Sequence, residues 1–165
     1  AQNKKWQEAG MPPLKMSVNL STQQFLTTNL INFMEEVLER TQLNPECFVV
    51  EITEYMAMEY DYSIRVLKQL KALGIGISID DFGTGYSSLN YLKDFPIDTI
   101  KIDKSFIDEL MNDRNGALIV KAIITLAHNL QKEVIAEGVE TIEQLNFLKE
   151  HKCDISQGFY FSEAL

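Results

Sequence analysis

Six short β-rich runs in this chain each close on a side chain able to do chemistry. Asn19 closes the run Lys15 to Leu20, and Glu51 and Glu54 lie at the end of Phe48 to Thr53. Asp80 and Asp81 end the run that starts at Gly76, Lys101 and Asp103 end Thr99 to Ile102, Glu137 and Glu140 follow Glu133 to Ala136, and Gln157 lies in Ile155 to Phe161. If the runs are parallel strands, their C-terminal ends share one face and these groups converge on one pocket. Glu51, Asp80, Asp81 and Glu137 together cannot all stay ionised unaided. Like charges raise one another's pKa values unless a cation replaces the protons. Carboxylate and amide oxygens, with no thiolate and no His near these ends, select Mg²⁺ or Mn²⁺ over zinc. Adjacent Asp80 and Asp81 suit two bridged ions, an arrangement used in phosphodiester displacement. Lys101, amid the acids, is placed to hold or polarise an attacking water.

Taken singly, each feature has an ordinary explanation. A strand-end Glu is usually solvated, Asp-Asp is common in turns, and Gly83-Thr84-Gly85 alone is a weak phosphate-loop signal. His128 and His151 have no metal-like partner in sequence. Phe159, Tyr160 and Phe161 read as strand packing rather than a base-stacking platform. The joint pattern carries the chemical reading, because six separate strand ends rarely all finish this way by accident.

Amphipathic helices separate the runs and must position them. Ser21 and Gln24 have capping-box spacing, and Phe25, Leu26, Leu30, Phe33, Met34, Val37 and Leu38 follow as one helical stripe. Ile64, Leu67, Leu70 and Leu73 define a second helix that stops at Gly74. A short helix runs from about Ser88 to Asp94. Leu118, Ile119, Ala122, Ile123, Leu126, Ala127 and Leu130 mark a long one from about Gly116 to Leu130. Thr141 and Gln144 repeat the capping box before Leu145 and Leu148. Alternating strands and helices imply a parallel sheet. A (β/α)8 TIM-type barrel needs eight strands and typically about 250 residues, so six runs in 165 residues also allow a doubly wound open sheet. Polar groups on every strand end favour the barrel, since an open sheet concentrates its site at one switch point. The expected fold is thus α/β, with residues 1–165 supplying about six units of the barrel as one domain.

Composition narrows the function classes. Fifteen basic against 24 acidic residues leave a net charge of −9, which argues against duplex DNA or RNA as partners, because such binding relies on clustered Lys and Arg. At 45% apolar residues a packed core is expected rather than disorder. No apolar run reaches the roughly 18 residues of a membrane span, so no membrane contact by this segment is expected. Cys47 and Cys153 are too few and too distant for a disulfide framework or zinc site, in keeping with a cytoplasmic setting. The opening residues read as the tail of a helix ending at Gly10, as in a piece of a longer protein.

The quoted residues also carry a family resemblance. Ser17-Val18-Asn19-Leu20-Ser21, Glu51-Ile52-Thr53-Glu54, Asp80-Asp81-Phe82-Gly83-Thr84-Gly85-Tyr86-Ser87-Ser88-Leu89, Lys101-Ile102-Asp103, Ala136-Glu137-Gly138-Val139-Glu140-Thr141 and Gln157-Gly158-Phe159 resemble, in order and spacing, the EAL domain. These are bacterial phosphodiesterases that open cyclic di-GMP to linear pGpG. The resemblance implies a barrel with two Mg²⁺ or Mn²⁺ ions. It implies Asn19, Glu51, Asp80 and Asp81 as metal ligands, Glu137 ligating or bonding the metal's water, and Lys101 contacting the nucleophilic water. Glu54 is expected to anchor the Asp81-to-Ser88 loop, a segment linked to dimer signalling, and Gln157 to support the ligand pocket from the last strand. The family's name-giving Glu-Ala-Leu lies on a strand before this sequence begins. Glu163-Ala164-Leu165 is a coincidence of letters. A chain lacking that ligand is expected to be inactive alone, and the two unpaired edges of a six-strand piece invite self-association, as in a homodimer. A GGDEF or sensor domain in the parent protein is a further family possibility. The alternative from a different class is a catalytically silent module that binds cyclic di-GMP or serves interactions.

Overall fold

A computed structural model describes residues 2–27, 29–58, 60–85 and 89–163. The strands are β1 (Met16–Asn19), β2 (Phe48–Thr53), β3 (Gly76–Phe82), β4 (Thr99–Ile102), β5 (Glu133–Ala136) and β6 (Ile155–Ser156). All neighbouring pairs are parallel and the spatial order is β1-β2-β3-β4-β5-β6. A doubly wound sheet must reverse its strand order at a switch point. None occurs here, so the six strands follow the order of a TIM-type barrel, with about six of its β/α units.

Parity along the strands separates core from site. Val50, Ile52, Ile77, Ile79, Ile100, Ile102, Val134 and Ala136 are buried in the main core. Successive strand residues point to opposite faces, so the intervening positions, Glu51, Ser78, Thr99 and Lys101 among them, turn to the other face. One face is thus aliphatic and packs beneath the helices. The other carries the chemistry.

The helices are α1 (Gln2–Glu8), α2 (Thr22–Phe25), α3 (Leu30–Thr41), α4 (Tyr60–Ala72), α5 (Leu89–Asp94), α6 (Lys104–Glu109), α7 (Arg114–Asn129) and α8 (Ile142–Glu150). Both capping boxes form as expected, with the Gln24 and Gln144 amides donating to the Ser21 and Thr141 hydroxyls. Gly74 has φ +83°, the left-handed geometry that glycine adopts at a helix C-terminus without a Cβ penalty. Short 3₁₀ turns at Pro45–Cys47 and Glu54–Met58 precede β2 and α4.

Three sequence expectations are corrected. The single helix after β1 is two helices, because α2 ends after one turn; the break shifts the phase of the stripe and leaves Leu26 and Phe33 exposed. In α7 the buried stripe is Gly116, Val120, Ile123, Ile124 and Ala127, one step round from the expected face, so Leu118 and Ile119 are exposed. The last strand is two residues long rather than reaching Phe161. At Gly158 the chain passes so close to the Val139 backbone that a Cβ would collide with it, and Phe159 to Phe161 form an exposed turn, with Phe159 63% exposed. Helix α6, capped by the Asp103 carboxylate accepting from the Ser105 amide at 3.0 Å, was not anticipated. Tyr86 to Ser88 of the expected loop and Ala164-Leu165 lie outside the described residues.

Candidate active site

Four charged side chains from four strands meet at one point. The Lys101 ammonium lies 2.7 Å from Glu137, 2.9 Å from Asp80 and 3.1 Å from Glu51. β2, β3 and β4 present Glu51, Asp80 and Lys101 from the non-aliphatic face, and the chain just past β5 presents Glu137. Lys101 is 5% exposed, a burial that an ammonium sustains only when its donors are paired. Burial alone would lower its pKa, but the bonds to Glu137, Asp80 and Glu51 outweigh this and raise it, so the amine stays charged. Glu137 is held above the ordinary carboxylate range by burial, with Lys101 opposing and Asp80 and Glu51 adding to the rise.

The position of Asp81 depends on a local irregularity. Adjacent strand residues should face opposite ways, yet the β3–β4 register shifts between Ile79 and Phe82, and Asp81 has φ +53°. A bulge of this kind re-aims side chains at strand ends, and Asp tolerates the left-handed conformation. The result brings Asp81 beside Asp80, whose carboxylate accepts the Asp81 amide at 3.1 Å. The Asp81 pKa is raised by burial first and then by Asp80 and Asp103, with Lys101 pulling the other way; a hydrogen bond to the Asp103 side chain adds to the rise. Asp103 therefore serves two structures, capping α6 and facing Asp81. Its place after Lys101 was visible in sequence, but its contact with Asp81 depends on the bulge and was not.

The remaining expected residues fall at different distances from the cluster. Asn19 ends β1 in register with Glu51 and is exposed. Glu54 sits apart from the Lys101 cluster, under the loop after β3. One of its oxygens accepts the Gly83 amide at 3.3 Å, and a Cβ on Gly85 would stand 3.3 Å from the same carboxylate. Its other oxygen is buried without a partner among the described residues. Gln157 continues β6 through backbone bonds, its amide donating to Ala136 at 2.8 Å and its carbonyl accepting from Val139 at 3.0 Å, with an exposed side chain. Glu140, also a strand-end acid, pairs with Lys104 at 2.5 Å. His128 bonds Asp154 at 3.0 Å, and His151 packs edge-on against Phe147.

The donor set suits a hard divalent cation. Among the described residues no three His, Cys, Asp or Glu side chains form a ready cage; the acids converge instead on the Lys101 ammonium. Glu51, Asp80, Asp81 and Glu137 outnumber that one positive charge, so the site retains excess negative charge on oxygen ligands, the combination Mg²⁺ and Mn²⁺ prefer.

A family model described as the EAL domain matches residues 1–164. The chain is 47% identical over 161 residues to the signaling protein YkoW of Bacillus subtilis, covering 97% of this chain and 20% of that protein. It is 45% identical over 161 residues to the bifunctional diguanylate cyclase/cyclic di-GMP phosphodiesterase MucR of Pseudomonas aeruginosa, covering 97% of this chain and 24% of that one. The chain thus spans about a fifth to a quarter of the length of these relatives. A solved structure described as the PaMucR phosphodiesterase in complex with c-di-GMP superimposes with a TM-score of 0.95 at 44% identity, covering 98% of this chain and 66% of that one. The EAL domain of Mycobacterium smegmatis DcpA superimposes with a TM-score of 0.92 at 34% identity, covering 99% of this chain and 74% of that one.

Proposed function

Because this chain belongs to the EAL domain family, we propose that it supplies most of a divalent-metal-dependent centre that hydrolyses cyclic di-GMP to linear pGpG in bacterial signalling. The observation carrying this reading is the meeting of Glu51, Asp80 and Glu137 on Lys101 from separate strand ends. The descriptions of MucR and its complex as a cyclic di-GMP phosphodiesterase support the substrate.

In this reading Asn19, Glu51, Asp80 and Asp81 hold two Mg²⁺ or Mn²⁺ ions, with Glu137 as a further ligand or a partner to bound water. Bound metal would polarise the phosphoryl oxygen and make water nucleophilic near neutral pH. The chain's own residues do the positioning. Glu51 and Asp80, once bound to metal ions, would release the Lys101 donors they now occupy, and Lys101 would then hold a water near the phosphorus and counter charge developing there. Glu137 sits within hydrogen-bond reach of Lys101 and is the carboxylate placed to take that water's proton. Glu54 holds the turn at Gly83 to Gly85, and Gln157 supports the pocket from the last strand.

In this account copies of the chain associate through β1 and β6, where Met16, Val18 and Ile155 are exposed. The longer relatives leave room for a GGDEF or sensor domain in the parent protein, which works in the cytoplasm. The test is chromatography of the full-length protein with cyclic di-GMP. Release of pGpG that requires Mg²⁺ or Mn²⁺ supports the proposal. Binding without turnover would make the domain a silent receptor, and neither would leave an interaction scaffold.

A further inference from the structure

Helix α6 opens on a residue that its position disfavours. The first turn of a helix favours acids, because a cation there opposes the helix dipole. α6 has no acid in its first turn and begins with Lys104, directly after its cap Asp103. Local preferences are broken most often where function demands it, and Lys104 makes three contacts away from its own helix. Its ammonium pairs with Glu140 at 2.5 Å and stands 5.9 Å from the centre of the Phe159 ring, within cation–π range. Its methylene stem lies against Gly138, where a Cβ would overlap the Lys104 Cγ and Cδ. Gly138 and Glu140 belong to the turn that carries Glu137 out of β5.

That turn is tied down on its other sides. The Glu137 amide donates to the Ile102 carbonyl at 3.2 Å, the Val139 amide donates to Gln157 at 3.0 Å, and the Val139 carbonyl accepts from Tyr160 at 2.9 Å. The Gln144 side chain accepts from the Glu140 and Thr141 amides and donates to the Ile107 carbonyl of α6. Between these anchors Gly138 stands at φ +72°. Glycine resists a change of conformation less than any other residue, and the lysine stem is packed on this weakest link. The ion pair is about half exposed at both ends and contributes little alone. The stem is the larger part.

We propose that Lys104 is a positioning residue for Glu137: its stem clamps the turn at Gly138, with Glu140 and Phe159 fixing its far end, and so keeps the Glu137 carboxylate at Lys101. The effect on turnover rests on the phosphodiesterase reading above. The effect on geometry does not, and the experiment separates the two.

Lys104→Ala removes stem and charge, Lys104→Met keeps the stem without the charge, and Lys104→Arg keeps both. All three are made in the full-length protein. Alanine is a good helix former and Lys104 is half exposed, so the alanine variant folds. Metal-free crystal structures of wild type and Lys104→Ala give the Glu137–Lys101 separation, and pGpG release in Mn²⁺ gives kcat and KM. In Lys104→Ala the Glu137 carboxylate is expected to leave hydrogen-bond reach of Lys101, against 2.7 Å in wild type. Its kcat should fall about tenfold, as when a group that orients a ligand or a reacting group is lost. KM should stay within about twofold, because the lost interaction serves the reacting atoms rather than uniform binding. Lys104→Met should keep kcat within about twofold of wild type, since an exposed ion pair is worth little, and Lys104→Arg should match wild type. A wild-type protein that releases no pGpG defeats the phosphodiesterase reading, and the crystal structures then decide the clamp alone. A Glu137 carboxylate still at Lys101 in Lys104→Ala would overturn the proposal. Where wild type turns over, so would an unchanged kcat in Lys104→Ala, a loss expressed in KM instead, equal losses in Ala and Met, or a failure of arginine to restore kcat.

Discussion

Lys101 and Glu137 face each other at 2.7 Å across the ends of β4 and β5, the shortest of the three ion pairs that gather the strand ends around one ammonium. Removing one member of a buried ion cluster strands the others. Lys101→Met should therefore destabilise the metal-free protein by about 3 kcal/mol or more, as breaking buried pairs does. The carboxylates left behind suit a divalent ion, so millimolar Mn²⁺ should recover part of the loss. Urea denaturation with EDTA and with Mn²⁺ measures both effects. A variant as stable as wild type in EDTA would mean that the lysine does not hold the strand ends together.

Asp154 accepts from the Val134 amide at 2.9 Å and meets His128 at 3.0 Å, tying the segment between α8 and β6 to β5 and α7. Burial works against its ionised form, but the bonds from His128 and Val134 outweigh it and hold the carboxyl below its ordinary pKa. A depressed folded-state pKa contributes stability above the unfolded value, about 3.9, and loses it as pH falls through the lower folded value. Asp154→Asn should thus narrow the stability gap to wild type as the pH drops below about 4. A gap that widens on acidification in thermal melts would reverse the sign and refute the assignment.

Burial pushes the Cys153 thiol up to about 11, and Cys47 is buried outright. Reaction depends on the thiolate, so at pH 8 the folded Cys153 should react with a disulfide reagent on the order of a hundredfold more slowly than a free cysteine. Both thiols should become fast in guanidinium. Rapid labelling of one thiol in the native protein would contradict the packing described for that cysteine.

Gly138 has φ +72°, and a Cβ there would press into the Lys104 side chain that reaches Glu140. The left-handed backbone alone costs an alanine about 1 kcal/mol. Gly138→Ala should lower the melting temperature by several degrees, about what 1 kcal/mol produces in a domain of this size. Gly116→Ala should be milder, since its φ is not in that region and its nearest neighbour, the Glu109 Cβ at 3.2 Å, has only to shift slightly. Equal losses at the two positions would show that conformation is not the deciding factor.

Much of this arrangement was legible in the residues. The places of Glu51, Asp80, Lys101 and Glu137 at successive strand ends pointed to their meeting on one face, and polar groups on every strand end favoured the barrel over a doubly wound sheet, which the alternation of strands and helices left open. Helix phase was harder, because Leu118 and Ile119 have the same hydropathy as Val120 and Ile124, and only packing decides which pair is buried. The last strand was overextended because aromatic residues favour strands locally, while Gly158 must pass against Val139. The closeness of Asp81 to Asp103 depends on a bulge, and a register shift leaves no mark in composition or spacing.

The central claim is that oxygen ligands from separate strands hold divalent ions that act on a cyclic dinucleotide. The direct measurement is pGpG released by the full-length protein, for wild type and Glu51→Gln, as Mn²⁺ is titrated from an EDTA-treated start. Turnover should rise from nothing with Mn²⁺ in wild type and stay at least a hundredfold lower in Glu51→Gln, about the loss expected when a ligand that organises the reacting groups is removed. Equal turnover in the two proteins, or full activity in EDTA, would contradict it.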